Sequence, residues 1–432
     1  MRAAIVGFGC RVNLSESDGM AAALRAAGWA ICDVEAAEVV VVNGCAITEA
    51  AEADGRAAVR RAVRANPRAR VVVTGCWAEA SRSAALALPG VAVVVGNADK
   101  PDIVEHAARA LERDPAARPD VAITRLVRGA PLRELPYRLD ARARVLLKVQ
   151  DGCDYRCSFC IVPSVRGPSR SLPLATIVAR LDALVGAGVG EIVLTGIHLG
   201  TWGRDLQPRA ALVDLVAALV PRLGPARLRL SSIDPHEVGD ELLALLREHP
   251  RALCRHLHLP VQSCDDGVLR KMRRAHDAAS FVELVARARA GIPEIAISSD
   301  VIVGHPGEDD EAFARTHATL AGLPLAYLHV FPWSPRRGTI APTLPGRVAS
   351  ATIRARGEAL RALSRAQAAA FRAALSDREH DVVVHRRPDR AGVVWARTDH
   401  DVAVRMIDGA AHAGARMRVH LGSDGWTARP IA

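Results

Sequence analysis

The chain has 432 residues, half of them hydrophobic, and a formal net charge of +10 carried almost wholly by arginine, since only Lys100, Lys148 and Lys271 are lysines. That length is too great for one ordinary core, so two or three domains are expected. No run of about 18 uncharged apolar residues occurs, which excludes a conventional helical membrane span, and no charged region followed by a signal-peptide core stands at the N-terminus. A cytoplasmic, monomeric protein is expected, and its positive balance suits a phosphate-bearing partner.

In chain order, residues 1–115 alternate Val-rich runs (AAIVGFG, EVVVVN, RVVVTG, VAVVVGN) with helical stretches such as ESDGMAAALRAAGW and PDIVEHAARALERD. This α/β pattern predicts a doubly wound parallel sheet covered on both faces. Residues 116–140 are rich in Pro and Arg and read as a linker. From 141 to 376, six strand-like runs (RVLLKVQDG, EIVLTG, RLRLSSI, HLHLPVQ, IAISSDVIVG, AYLHVFPWS) are each followed by a helical stretch. Six such units predict a partial (β/α)6 barrel, because a full eight-unit barrel takes about 250 residues. A long Arg/Ala helix occupies 350–376. Residues 377–432 change to short β-like runs (DVVVHRR, GVVWART, VAVRMI, RMRVHL) between Gly and Asp turns, predicting a small antiparallel barrel.

Nine cysteines, an odd number spread unevenly, argue for metal or redox chemistry over a disulfide framework. The stretch CDYRCSFC sets Cys153, Cys157 and Cys160 at CxxxCxxC spacing directly after a strand. Three thiolates on one loop can ligate three irons of a [4Fe-4S] cluster and leave the fourth iron to an exchangeable ligand. Structural zinc wants four closed ligands, and no fourth Cys or His stands nearby at matching spacing. Cys10, Cys45 and Cys76 each follow a Val-rich run and a glycine, in GFGC, VVNGC and VVTGC, about one βα repeat apart. In a parallel sheet those positions fall at the carboxyl ends of neighbouring strands. A second three-cysteine cluster site is therefore expected.

Cys32, Cys254 and Cys264 lack ligand spacing and read as small buried residues. Gly7 and Gly9 also begin a dinucleotide-type GxGxxG, with Asp33 roughly where a ribose-binding acid would stand. Val12 occupies the third glycine position, which makes a nicotinamide or flavin site the weaker reading.

CxxxCxxC with Phe159 before its last Cys resembles the radical S-adenosylmethionine (SAM) superfamily. Together with GCRVN, VNGCAIT, TGCWAE, KVQDGCDYRCSFCIVPSVRGPSRS, LSSIDPHEV, HLHLPVQSCDDGVLRKMRR, DVIVGHPGE and HVFPWSPRRGT, almost the whole chain resembles the radical-SAM methylthiotransferases. The last segment is similar in position and β-character to the RNA-binding TRAM domain. The resemblance implies two [4Fe-4S] clusters, SAM, a tRNA anticodon stem-loop as partner, and electron and sulfur donors that the sequence does not identify. In that family one cluster, with SAM on its open iron, generates a 5′-deoxyadenosyl radical, and the other holds the sulfur to be inserted. No acid–base catalytic residue is implied.

RGPSRS, LTGIHLGTWGRDL and HVFPWSPRRGT are most similar to the enzymes acting at C2 of N6-threonylcarbamoyladenosine beside the anticodon. Tyr155, Arg156 and Ser164 resemble instead the enzymes that act on an aspartate of a ribosomal protein, and N6-isopentenyladenosine is the third alternative. By the same resemblance Phe159 lies beside the adenine of SAM. Thr195 and Gly196 form the turn that receives its amino group, and Ser232, Gln262 and Asp300 contact its ribose or carboxylate. Arg166 and Arg170 are expected at a substrate phosphate or the SAM carboxylate, and Arg386, Arg387 and Arg390 form a basic cluster suited to RNA backbone. Cys264 and His305 depart from the family's usual Gly and Phe. A non-catalytic iron–sulfur RNA-binding protein is the competing class. It would close each cluster with four protein ligands, and each set here offers three.

Overall fold

The computed structural model describes residues 1–136, 143–407 and 412–431; the end of the expected linker, 137–140, lies outside the described residues. The chain divides into two compact units. The first joins Met1–Arg138 to Gln150–Ser171 and Ser334–Pro342, and the second holds Leu139–Val149, Leu172–Trp333 and Thr343–Ala432.

In the first unit six parallel strands lie in the spatial order Ala30–Ile31, Arg2–Gly7, Val39–Gly44, Arg70–Gly75, Val91–Val95, Asp120–Ala122. Val40, Val42, Val71 and Val73 face one core with Trp77, whereas Val39, Val41, Val72 and Val93 face the other with Met20 and Leu24. Burial on both faces is why the strands read as unbroken valine runs instead of alternating ones. The helix Glu49–Ala65 starts where Thr48 caps it, accepting from the Ala51 N–H at 3.1 Å, with Glu49 and Glu52 at its positive end. Asp120–Ala122, within the segment expected to be linker, pairs with Val93–Val95 as the outermost strand. Three residues at an edge carry no periodicity that a sequence could display.

In the second unit six strands follow one another in chain order: Arg144–Lys148, Glu191–Thr195, Arg227–Leu230, His256–His258, Ala296–Val303 and Tyr327–Pro332. They form two three-stranded parallel sheets linked by the Leu228–Leu253 and Ser232–His258 bridges. This is the expected six-unit barrel. After the helix Ser350–Leu375 comes a closed barrel of five strands, Glu379–Val384, Trp395–Thr398, Ala403–Met406, Thr427–Pro430 and Arg416–Leu421. Thr427–Pro430, absent from the four predicted runs, closes it by pairing antiparallel with Arg416–Leu421 but parallel with Ala403–Met406, so the barrel is not wholly antiparallel as expected.

Glu191 ties this small barrel to the larger one. Its carboxylate, 0% exposed, binds Arg144, meets Arg227 at 2.7 Å and Arg229 at 2.8 Å. Burial alone would raise its pKa, but Arg229, Arg227 and Arg144 hold it well below the usual carboxylate range. Arg227 also donates to the Asp381 and Arg397 carbonyls, and Arg229 to the Thr398 and Asp399 carbonyls.

His305 is wholly buried, with its Nδ1 3.1 Å from the Pro306 carbonyl and its ring edge-on to Trp333. Burial pushes its pKa down from 6.5 to about 4. An unfolded chain therefore takes up this proton before the folded one does, and stability present at pH 7 is lost as the pH falls from 6.5 through 4, by about 3 kcal/mol in full. Replacing His305 with Phe should remove that component, and urea titrations at pH 7 and pH 4.5 on both proteins would register it. Equal acid losses in the two would contradict it. Cys254 and Cys264 are buried as expected, whereas Cys32 is half-buried. Among the described residues no helix is long and apolar enough to cross a membrane.

Candidate functional site

The first unit carries two sets of thiols. Strands Arg2–Gly7, Val39–Gly44 and Arg70–Gly75 are adjacent and in register at their carboxyl ends, where Gly7 faces Asn43, Asn43 faces Thr74 and Gly44 faces Gly75. Cys10, Cys45 and Cys76 follow these ends. Two of the preceding glycines are required by the backbone: Gly9 has φ +110° and Gly75 φ +95°, and a side chain on Gly75 would come within 2.3 Å of the Gly44 carbonyl. Asn13 fastens the turns together, its Nδ2 donating to the carbonyls of Gly44 at 3.0 Å and Phe8 at 3.2 Å. The GFG glycines thus turn the chain off the strand toward Cys10, the residue before the helix Arg11–Ala26.

Cys153, Cys157 and Cys160 lie between Asp151 and the short helix Val162–Arg166. An antiparallel pair, Gln150–Asp151 with Arg170–Ser171, closes the base of their loop. The Cys153 N–H donates to the Gly167 carbonyl and the Cys160 N–H to the Cys157 carbonyl, each at 3.1 Å. The N–H groups of Ile340 and Ala341 both donate to the Ser158 carbonyl, at 2.9 and 2.7 Å. Arg336 of the same segment pairs with Glu52. Phe159 is half-buried within the loop.

None of the nine cysteines forms a disulfide. Within each set the thiols feel one another's charge: Cys10 that of Cys76, Cys45 that of Cys76 and Cys10, and Cys153 that of Cys160 and Cys157. Burial is the main cause holding Cys10 above its ordinary value and pushing Cys45 up to about 11 and Cys153 up to about 12. Thiols grouped in this way become thiolates when bound metal ions supply the compensating positive charge. The donor sets fit iron–sulfur clusters with three protein ligands each.

In the second unit the candidate SAM contacts line the carboxyl ends of consecutive strands. Thr195, buried, ends its strand, with half-buried Gly196 beyond it, and Ser232 is exposed at the bridge to His258. Gln262 takes φ +70° and bridges Val301, while its N–H donates to the Asp300 carbonyl at 2.9 Å. Asp300 stands between two residues the sequence reading did not single out for it, His258 Nε2 at 3.0 Å and His329 Nδ1 at 3.1 Å. Burial opposes its ionisation, but the bonds from His258 and His329 hold its carboxyl well below the usual range. Strand-end position was the available signal for His258, and for His329 its place at the head of HVFPWSPRRGT.

The arginines divide sharply. Arg387 and Arg390 are exposed and Arg386 is half-buried, in the loop after Glu379–Val384. Trp395, in the strand that follows, has its indole N–H bonded to Asp389 at 2.7 Å. The expectation of a nucleic-acid phosphate for Arg166 and Arg170 is corrected: both are buried, and Arg166 spends its guanidinium on Glu16, Asp151, Asn13 and Cys76. A side chain so enclosed cannot reach a nucleic-acid backbone. Asn13 and Asp151, which lie in the GCRVN and KVQDG motifs, complete this cluster with Glu16 and Lys100, which no motif marked.

Comparison with known proteins agrees with this arrangement. Residues 147–320 match the Radical SAM superfamily and residues 2–96 the Uncharacterized protein family UPF0004. The threonylcarbamoyladenosine tRNA methylthiotransferase MtaB of Rickettsia prowazekii is 37% identical, over 80% of this chain and 79% of its own. The tRNA-2-methylthio-N(6)-dimethylallyladenosine synthase of Cereibacter sphaeroides (strain ATCC 17025) is 35% identical, over 97% of this chain and 95% of its own. Among solved structures, the radical S-adenosylmethionine methyltransferase TsrM of Kitasatospora setae shares the fold, with a TM-score of 0.54 at 17% identity over 77% of this chain and 74% of that one. With two cysteine sets on a parallel-sheet unit, a six-unit barrel, a terminal β-barrel and relatives of this similarity along most of its length, the chain belongs to the radical-SAM methylthiotransferase family, which works with a [4Fe-4S] cluster and SAM.

Proposed function

We propose that this enzyme installs a methylthio group at C2 of N6-threonylcarbamoyladenosine beside the anticodon of tRNA. The observation that carries the reading is the pair of three-thiol sets, Cys10, Cys45 and Cys76 and Cys153, Cys157 and Cys160, each one protein ligand short of a four-iron cluster. Bound there, two clusters and SAM supply the one-electron chemistry that opens an unactivated C–H bond and the sulfur that replaces its hydrogen. Phe159, Thr195, Gly196, Ser232, Gln262 and Asp300 position SAM, and the His258 and His329 bonds keep the Asp300 carboxylate ionised and oriented. Arg386, Arg387 and Arg390 attract the RNA backbone without reading its sequence. Electrons and sulfur come from external donors.

Support for this base comes from the relatives named for threonylcarbamoyladenosine, at 33 to 37% identity. A second reading, the dimethylallyl-bearing adenosine, is favoured by the Cereibacter relatives, whose similarity extends over 96 to 97% of the chain. Nucleoside mass spectrometry of tRNA from a deletion strain separates them. The methylthio form of threonylcarbamoyladenosine should vanish and return on complementation; loss of the dimethylallyl form alone would favour the second reading and defeat the first.

A further inference from the structure

Arg166 is 0% exposed, and all three of its guanidinium nitrogens are engaged. Nε donates to Cys76 Sγ at 3.2 Å, Nη1 to Glu16 Oε1 at 2.9 Å and to the Asp151 oxygens at 3.0 and 3.2 Å, and Nη2 to Asn13 Oδ1 at 2.6 Å and Glu16 Oε2 at 3.1 Å. Lys100, also buried, pairs with Glu16. Glu16 and Asn13 belong to the helix that follows Cys10, Asp151 lies just before Cys153, and Arg166 ends the helix just after Cys160. One guanidinium thus touches a thiol of the first set while its chain position and its Asp151 partner belong to the loop of the second.

Burying two cations and two carboxylates carries a desolvation penalty of several kcal/mol per ion, offset only by complete bonding. A clamp between two loops needs no contact to sulfur, yet the Nε bond goes there. Hydrogen bonds to a cluster's sulfurs and the net charge around it set its reduction potential. A donor and a positive charge favour the reduced, more negative state, and a carboxylate opposes it.

We propose that Arg166 is a positioning residue for the Cys10, Cys45 and Cys76 cluster, setting its reduction potential through Cys76 Sγ and tying that setting, through Asp151, to the loop of Cys153, Cys157 and Cys160. The inference rests on the reading of Cys10, Cys45 and Cys76 as cluster ligands. Glu16 is the counterweight: it orients the guanidinium and attenuates its charge.

The test uses the full chain with Cys153, Cys157 and Cys160 changed to Ala, so that only the first set loads iron and sulfide, and follows a redox titration by electron paramagnetic resonance. Arg166→Gln should lower the reduced-to-oxidised ratio at fixed potential about tenfold, equivalent to about 59 mV for one electron. Glu16→Gln should move it the opposite way, and Arg166→Lys, which keeps the charge, should fall between Arg166→Gln and the parent. Opposed shifts support the inference, whereas a clamp with no electrostatic role would lower iron content in all three without them and overturn it. Full iron with unchanged potentials in Arg166→Gln and Glu16→Gln also overturns it. If Arg166→Gln does not load, Glu16→Gln decides alone, an upward shift supporting the proposal and none defeating it. A parent chain that binds no iron would bring down the ligand reading itself, and the inference with it.

Discussion

Glu191→Ala should destabilise the second unit by about 3–5 kcal/mol, the usual cost of removing one partner of a buried ionic cluster. The carboxylate accepts from three arginines, and Arg227 and Arg229 are almost wholly buried. Without it, two guanidiniums remain enclosed beside each other, with backbone carbonyls, Asp381 at 3.2 Å from Arg227 and Asp401 at 3.8 Å from Arg229 to answer their charge. Urea unfolding followed by tryptophan fluorescence should show an earlier transition at unchanged slope. Glu191→Gln, which keeps the shape and two hydrogen-bonding groups but loses the charge, should lie between. A loss below about 1 kcal/mol for Glu191→Ala would mean that the arginines regain water, as exposed pairs do.

Cys157→Ala and Cys45→Ala should each lower the iron bound per chain by about half, yet differ completely in chemistry. Cys157→Ala should reduce 5′-deoxyadenosine production from SAM to background, because the set it damages is the one proposed to hold SAM. Cys45→Ala should continue to release 5′-deoxyadenosine while forming no methylthiolated nucleoside. Anaerobic assays with a reductant, SAM and an anticodon stem-loop measure both products. Methylthiolated nucleoside from Cys45→Ala would remove the second set from the reaction, and SAM cleavage by Cys157→Ala would reverse the assignment of the two.

Much of this was legible because the signals are local. Valine runs ending in a glycine and a cysteine announced both the sheet and the edge where thiols meet, since parallel strands in register bring equivalent positions together. CxxxCxxC needed no fold at all. What the sequence hid depends on distant partners. RLRLSSI reads as a strand, but nothing in it says that Arg227 and Arg229 point into the protein, because the carbonyls that receive them lie in the C-terminal barrel. Arg166 read as a cation for a substrate phosphate or the SAM carboxylate for the same reason: Glu16, Asn13 and Cys76, which enclose it, are distant in the chain. Trp426 escaped notice as an aromatic of the terminal barrel, and it stands half exposed with the Arg372 guanidinium 3.5 Å from its ring centre, a stacking pair of the kind that nucleobases also use.

The segment Ser334–Pro342, which belongs to the first unit, imposes an order of events on the newborn chain. The six strands of the parallel sheet are all translated by residue 122, but the Ser158 carbonyl receives its donors only when Ile340 and Ala341 have been made. Glu52 likewise waits for Arg336. During synthesis the loop of Cys153, Cys157 and Cys160 therefore remains without these anchors until the entire larger barrel has emerged from the ribosome. A chain stalled or cleaved between residues 171 and 334 would carry all six cysteines of the two sets and still lack part of the frame that holds the loop of Cys153, Cys157 and Cys160.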